Sequence, residues 1–214
     1  MELPAPAELT GSDLWLCRMV QQDGSHRLYV GDYLWAAEVA AGADPEVAVA
    51  ALPVEILAIS LLNLSLHNMG FLTRLTQLTS LDLEGCRGLS DLSPLSELAQ
   101  LTNLNLNKCA SLTSIKALKN LRRLRVLNLN WCERLNDIQA LEKLTQLKRL
   151  NLGKCYSVTD LRALAELAQL ESLNLSDKSN LTDVSALSGL SQLASLNLGG
   201  CSSLTDLAPL SSLQ

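Results

Sequence analysis

From residue 78 onward the apolar positions follow one template. In the first unit they fall at Leu78, Leu81, Leu83, Cys86, Leu89, Leu92, Leu95 and Leu98, and the pattern restarts at Leu101, Leu124, Leu147, Leu170 and Leu193, a period of 23 residues. Ser80 to Glu84 alternates polar and apolar residues, as a strand with one buried face does, and the same register recurs at Asn103–Asn107 and Ser195–Gly199. Leu92, Leu95 and Leu98 then recur every third residue, which suits a 3₁₀ or single-turn helix better than a long α-helix. Pro94 and Pro209 begin that turn, where a missing N–H is harmless because first-turn amides have no intrahelical partner. Three places earlier stand Asp91, Asp137, Asp160, Asp183 and Asp206, short carboxylates placed to accept from the turn's amides. An abbreviated unit precedes these, with Ile59, Leu62 and Leu64 in the strand positions and Leu72 and Leu75 in the turn.

One unit cannot bury its own leucines, so successive units must stack into a solenoid with a continuous core. The spacing L-x-x-L-x-L-x-x-C-x-x-L, with its "LTDL" continuation at Leu204–Leu207, resembles the leucine-rich repeat family over residues 59 to 214. That resemblance implies an α/β solenoid: a horseshoe with short parallel strands on the concave side and 3₁₀ or irregular turns on the convex side. The expected domains are a mainly helical N-terminal cap, 1–57, and a repeat domain, 58–214. The cap segment has no 23-residue period and holds Trp15, Trp35, Tyr29 and Tyr33. Asp32 is placed to cap a helix through Leu34, Trp35 and Val39 to Gly42, and Asp44-Pro45-Glu46 to start a second. Leu52 to Leu57 faintly resembles the opening of an F-box, but repeat strands follow too closely for the remaining helices of that module. The repeats run up to Gln214 without a polar capping segment, so the last repeat edge is expected to be covered by a partner or by further sequence.

Composition narrows the function. Aromatics are 3% of the chain, as a core of stacked leucines allows. His26 and His67 are the only histidines, and neither adjoins a nucleophile or carboxylate motif; phosphate-cradling glycine loops are absent as well. The reading is therefore no enzyme, no cofactor and no metal site. Cys86, Cys109, Cys132, Cys155 and Cys201 open equivalent loops and read as buried thiols donating to backbone carbonyls. Residues 1–25 carry no basic start followed by an apolar run, so a cytoplasmic protein without membrane contact is expected. In the unit from Leu170, Lys178 replaces the cysteine, and a buried unpaired ammonium is costly, so it must turn outward, find partners or alter its loop.

What remains is a binding surface. Between the two strand leucines runs the column Asp82, Asn105, Asn128, Asn151, Asn174 and Asn197, read as an amide ladder along the sheet that floors a binding face. Beyond it the side chains vary: Glu84, Asn107, Asn130, Gly153, Ser176 and Gly199, then Gly85, Lys108, Trp131, Lys154, Asp177 and Gly200. Trp131, at a strand end that should be exposed, is flanked by Lys108 and Lys154 with Tyr156 nearby; a large aromatic among cations is a common interface anchor, and the alternative is a ring lying flat over the loop leucines. The formal net charge of −5 hides an asymmetry, −7 over residues 1–57 and +8 over 108–162. Arg122, Arg123, Arg125, Lys148 and Arg149 concentrate where turn feeds strand, giving a basic lateral edge. A protein partner held by the concave face and this edge is the favoured expectation. Nucleic acid is the alternative, disfavoured by the overall acidity and the lack of interleaved aromatics.

Overall fold

The computed structural model describes residues 58–63, 66 and 69–213, together with the backbone of four two-residue strands earlier in the chain. Of these, β1 (Met19–Val20) pairs antiparallel with β2 (His26–Arg27), and β3 (Tyr29–Val30) with β4 (Tyr33–Leu34). Leu34 is thus in a strand, not in the helix expected after Asp32. The reason is visible locally: aromatic and β-branched residues flank a Gly-Asp pair, which is a two-residue hairpin signal stronger than the capping signal. The rest of the expected cap helices, including Trp35, Val39, Gly42 and the segment after Asp44, lies outside the described residues.

The repeats form one open sheet of seven parallel strands in sequence order: β5 (Ala58–Ser60), β6 (Ser80–Asp82), β7 (Asn103–Asn105), β8 (Val126–Asn128), β9 (Arg149–Asn151), β10 (Ser172–Asn174) and β11 (Ser195–Asn197). Each is three residues long, and pairing is in register, so Ile59, Leu81, Leu104, Leu127, Leu150, Leu173 and Leu196 stand side by side. Ile59 thus takes the part of Leu81 and the buried Leu61 that of Leu83, not the parts of Leu78 and Leu81 that the spacing of the abbreviated unit suggests for Ile59 and Leu62. Strand β5 follows directly on Leu57, which leaves no room for further helices after the six-residue match to an F-box. On the opposite side each coil returns through a 3₁₀ turn, at Ser93–Glu97, Lys116–Asn120, Gln139–Lys143, Arg162–Leu164, Ser185–Leu187 and Ala208–Ser212. The leucines of strand and turn meet between the two sides in one continuous core.

The turns begin as the aspartate column implies. Asp91, Asp137, Asp160, Asp183 and Asp206 each accept a backbone N–H two residues on, from Ser93, Gln139, Arg162, Ser185 and Ala208, at 2.8 to 3.1 Å. In the second full unit the Ser114 hydroxyl does the same for Lys116, at 3.1 Å. These bonds favour the ionised carboxylate: Asp91 and Asp183 are held below the usual range by the amide and hydroxyl of the serine that follows, and Asp160 falls to about 2 through Arg162.

The cysteine column forms a second interior ladder. Each buried thiol donates to a carbonyl of the preceding coil: Cys86 to Leu61 (3.0 Å), Cys109 to Leu83 (3.4 Å), Cys132 to Leu106 (3.1 Å), Cys155 to Leu129 (3.0 Å) and Cys201 to Leu175 (3.2 Å). All five are free, and burial pushes the Cys109 thiol up to about 12 and Cys155 to about 11. Lys178 keeps the column's inward direction instead of turning out. It is 1% exposed, and its Nζ donates to the carbonyls of Cys155 at 2.6 Å and Val158 at 3.3 Å, so the longer side chain reaches partners that a thiol at this place would not. Burial lowers its pKa to about 8. In the last coil the core opens: Leu196, Leu198, Leu204 and Leu210 are only partly buried and Leu207 is 54% exposed.

Candidate functional site

The concave face is built from the side chains that alternate with the buried leucines. Two columns line it: Ser80, Asn103, Val126, Arg149 and Ser172 at the strand starts, and Asp82, Asn105, Asn128, Asn151 and Asn174 at the strand ends. Together they wall a shallow groove of about 260 Å³ over strands β6 to β10.

The strand-end column bonds from coil to coil only where Asn105 meets Asp82, and its other asparagines do not form the amide ladder the composition suggests. Each Oδ1 accepts instead from the backbone amide two residues on in its own coil: Asn105 from Asn107, Asn128 from Asn130, Asn151 from Gly153, Asn174 from Ser176 and Asn197 from Gly199, at 2.9 to 3.1 Å, with Asp82 doing the same for Glu84 at 3.0 Å. The reason is proximity: the strand ends there and turns, and its first free amide lies within reach of the residue's own side chain. The amide-to-amide contact between coils appears one column further on, where Asn130 Nδ2 donates to Asn107 Oδ1 at 3.3 Å. This arrangement orients the asparagines. A backbone N–H only donates, so the oxygen must face it and the Nδ2 group points the other way.

Asp82 is the acidic member of an otherwise neutral column. Burial raises its pKa and the neighbouring Glu84 charge adds to this, against the hydrogen bonds from the Glu84 amide and Asn105. Glu84 is occupied by Lys108, whose Nζ lies 3.0 Å from its Oε1. Arg149 belongs to the groove as well as to the basic edge, because it is the first residue of β9 and stands in the column of Ser80, Asn103, Val126 and Ser172. Its guanidinium makes no hydrogen bond or ion pair among the described residues, although its charge helps to hold the Glu171 carboxyl low.

Where the strands end, the loop ridge has a backbone constraint invisible in the residue types. Gly85, Lys108, Trp131, Lys154, Asp177 and Gly200 all take positive φ, from 57° to 78°. At Gly85 a Cβ would lie 2.0 Å from Asn63 Oδ1, so that position needs glycine for space as well. Trp131, at φ 60°, occupies a conformation that a bulky residue seldom adopts. The residue is half-buried, between the exposed and covered readings, and Lys154 Nζ sits 4.1 Å from the ring centroid. Lys154 also lies 3.9 Å from Asp177 Oδ2, while Lys108 turns away to Glu84 and Tyr156 is 41% exposed beyond the ridge. The structure therefore brings Trp131 and Lys154 together and leaves Lys108 and Tyr156 apart from them.

Along the basic edge, Arg122, Arg123 and Arg125 are exposed. Arg123 donates to Gln100, and Lys148 pairs with Glu171 at 2.6 Å, so part of this charge is neutralised within the sheet edge. Among the described residues no group of three or more His, Cys, Asp or Glu side chains is placed to hold a metal ion, and no helix is long and apolar enough to cross a membrane.

A family model described as a BspA type leucine-rich repeat region matches residues 57–158 and 99–214, in six copies. Among solved structures, the chain is similar to an internalin, InlF, from Listeria monocytogenes, at 32% identity and a TM-score of 0.66, over 82% of this chain and 49% of that one. It is also similar to internalin C2 of the same organism, at 28% identity and a TM-score of 0.65, over 74% of this chain and 68% of the other. The chain thus spans about half the length of the first of these relatives. A comparison with curated proteins gave no match.

Proposed function

The chain belongs to the BspA-type leucine-rich repeat family, and we propose that it is a non-enzymatic recognition module that holds a protein partner against its concave face and loop ridge around Trp131. The observation that carries this reading is the placing of Trp131. A tryptophan stands at a positive-φ position where Gly85 and Gly200 serve in other coils, and a cation lies over its ring beside the groove. The other ridge positions share this backbone, at a cost of about 1 kcal/mol or more wherever the residue is not glycine, so what singles out Trp131 is the large ring it presents there, a residue type enriched among interface anchors. Asn107, Asn130, Lys154 and Tyr156 extend the contact surface from the ridge, and Arg122, Arg123, Arg125 and Arg149 supply charge for steering. The adaptor, regulator and sensor roles open to such a module differ in partner, not in this surface.

The test pairs two substitutions of one residue. Trp131→Ala and Trp131→Gly both remove the ring, but only glycine relaxes the left-handed backbone, so W131G unfolds in urea with about 1 kcal/mol more stability than W131A. Both variants lose the protein partners recovered by affinity purification with the wild-type chain. Retention of the same partners by both, in particular by W131G, removes Trp131 from the site. Capture of duplex oligonucleotide in place of protein, with a steep salt dependence, transfers the function to the basic edge.

A further inference from the structure

The concave groove is electrically polar from end to end, and we propose that it binds an extended peptide segment carrying one basic and one acidic side chain about four or five residues apart, the basic one at Asp82 and the acidic one at Arg149. This deepens the recognition role given above and rests on it.

Three observations fit together. Asp82 is half-buried in the groove wall on β6, and among the described residues it makes no ion pair, since the neighbouring Lys108 is taken by Glu84. Arg149 is exposed on β9 and its guanidinium makes no hydrogen bond or ion pair among the described residues, since Glu171 is taken by Lys148. One carboxylate and one guanidinium thus stand in the same groove without an ion-pair partner among the described residues, Asp82 accepting only from the Glu84 amide at 3.0 Å and from Asn105. Between them lie Asn105, Asn128 and Asn151, whose oxygens are spent on their own coils. The Asn105 amide is turned to Asp82 and Glu84 of the preceding coil, while Asn128 and Asn151 line the groove with side-chain N–H groups left over for peptide carbonyls.

The register sets the spacing. Asp82 and Arg149 are three strands apart and two residues out of line, so with strands about 4.8 Å apart and a rise of about 3.3 Å per residue, their Cα atoms are separated by roughly 16 Å. An extended peptide covers that distance in about four or five residues. A folded surface would have to present the same two charges on a ridge narrow enough to enter the groove, whereas a linear segment enters without such a constraint.

The chain itself supplies substitutions that keep the fold. Asp82→Asn installs the residue that five later coils carry at the same place, and Arg149→Ser installs the residue of Ser80 and Ser172. The experiment pans a phage-displayed library of random linear dodecapeptides on the full wild-type chain and on both variants, then measures synthetic hits by fluorescence anisotropy. Wild type is expected to enrich peptides with a Lys or Arg and an Asp or Glu four or five positions apart. D82N loses the preference for the base and R149S the preference for the acid, and each weakens a wild-type hit roughly fivefold. Enrichment without the spaced pair, a pair that neither variant affects, or no enrichment at all overturns the proposal. Peptides that depend on Trp131 but not on Asp82 or Arg149 overturn the groove assignment alone and leave the recognition surface in place. Loss of the protein partners' binding is judged separately, with W131G, so the two readings fail by different measurements.

Discussion

Lys178 shows how one residue departs from a repeat without breaking it. A thiol reaches one carbonyl of the preceding coil, whereas the longer lysine reaches those of Cys155 and Val158 and remains 1% exposed. Its folded pKa of about 8 lies below the value of 10.5 for a free lysine, so between these two pH values the unfolded chain holds more protons and stability from this group rises with pH. The buried thiols act oppositely: their folded pKa values are raised, so their contribution is lost above about pH 9 as the unfolded thiols ionise. The lysine is therefore isolated by comparison with Lys178→Met. Between pH 8 and 10.5 the stability of wild type relative to K178M is expected to improve by about 3 kcal/mol in urea titrations, and a difference independent of pH would contradict this assignment. The sequence announced the anomaly at 178 but left three outcomes open. Choosing among them required knowing which carbonyls of residues 155 and 158 come within reach.

At the scale of elements, each of the six short turns from Ser93 onward has its first amide held by a side chain outside it. The 3₁₀ segment Gln139–Lys143 is too short to be stable alone, and its first amide is satisfied by Asp137, whose other oxygen accepts from Ser114 of the preceding coil at 2.7 Å. Asp137 thus caps its own turn and ties it to the turn before. Asp137→Ala is expected to lower stability by about 1–2 kcal/mol, and Asp137→Asn by less because an oxygen acceptor remains. Equal losses for the two variants in urea unfolding would show that the charge matters and the cap does not. This element was legible beforehand, since capping needs only residues two apart. The strand-end asparagines were legible in position but not in role, because stacked side chains and a local turn draw on the same residue type and only the observed amide positions separate them.

For the whole molecule, stability is set by stacking neighbours rather than by a single centre. Leu127 is 1% exposed in a strand with partners on both sides, whereas Leu196 lies in the last strand and is only partly buried. Leu127→Ala is expected to cost about 3 kcal/mol and Leu196→Ala distinctly less, as read from urea unfolding. Amide hydrogen exchange should in turn be slowest in the central coils and fastest over residues 193–213. Uniform exchange across all coils would contradict nearest-neighbour stacking.

The repeat period, the strand and turn positions from Leu78 onward, the cysteine and aspartate columns and the placing of Trp131 near Lys154 were set by the sequence itself, because each follows from spacing within a unit or between adjacent ones. The abbreviated unit lacks that spacing, and its strand stands three residues earlier than its apolar pattern predicts. Other properties were decided only by the tertiary structure: the positive φ at Trp131, the inward lysine, the asparagine oxygens turned to their own coils, and the placing of Asp82 and Arg149 on one groove. The physical reason is distance along the chain. Asp82 and Arg149 belong to coils separated by two others, and no local preference reports that the sheet carries both to the same face.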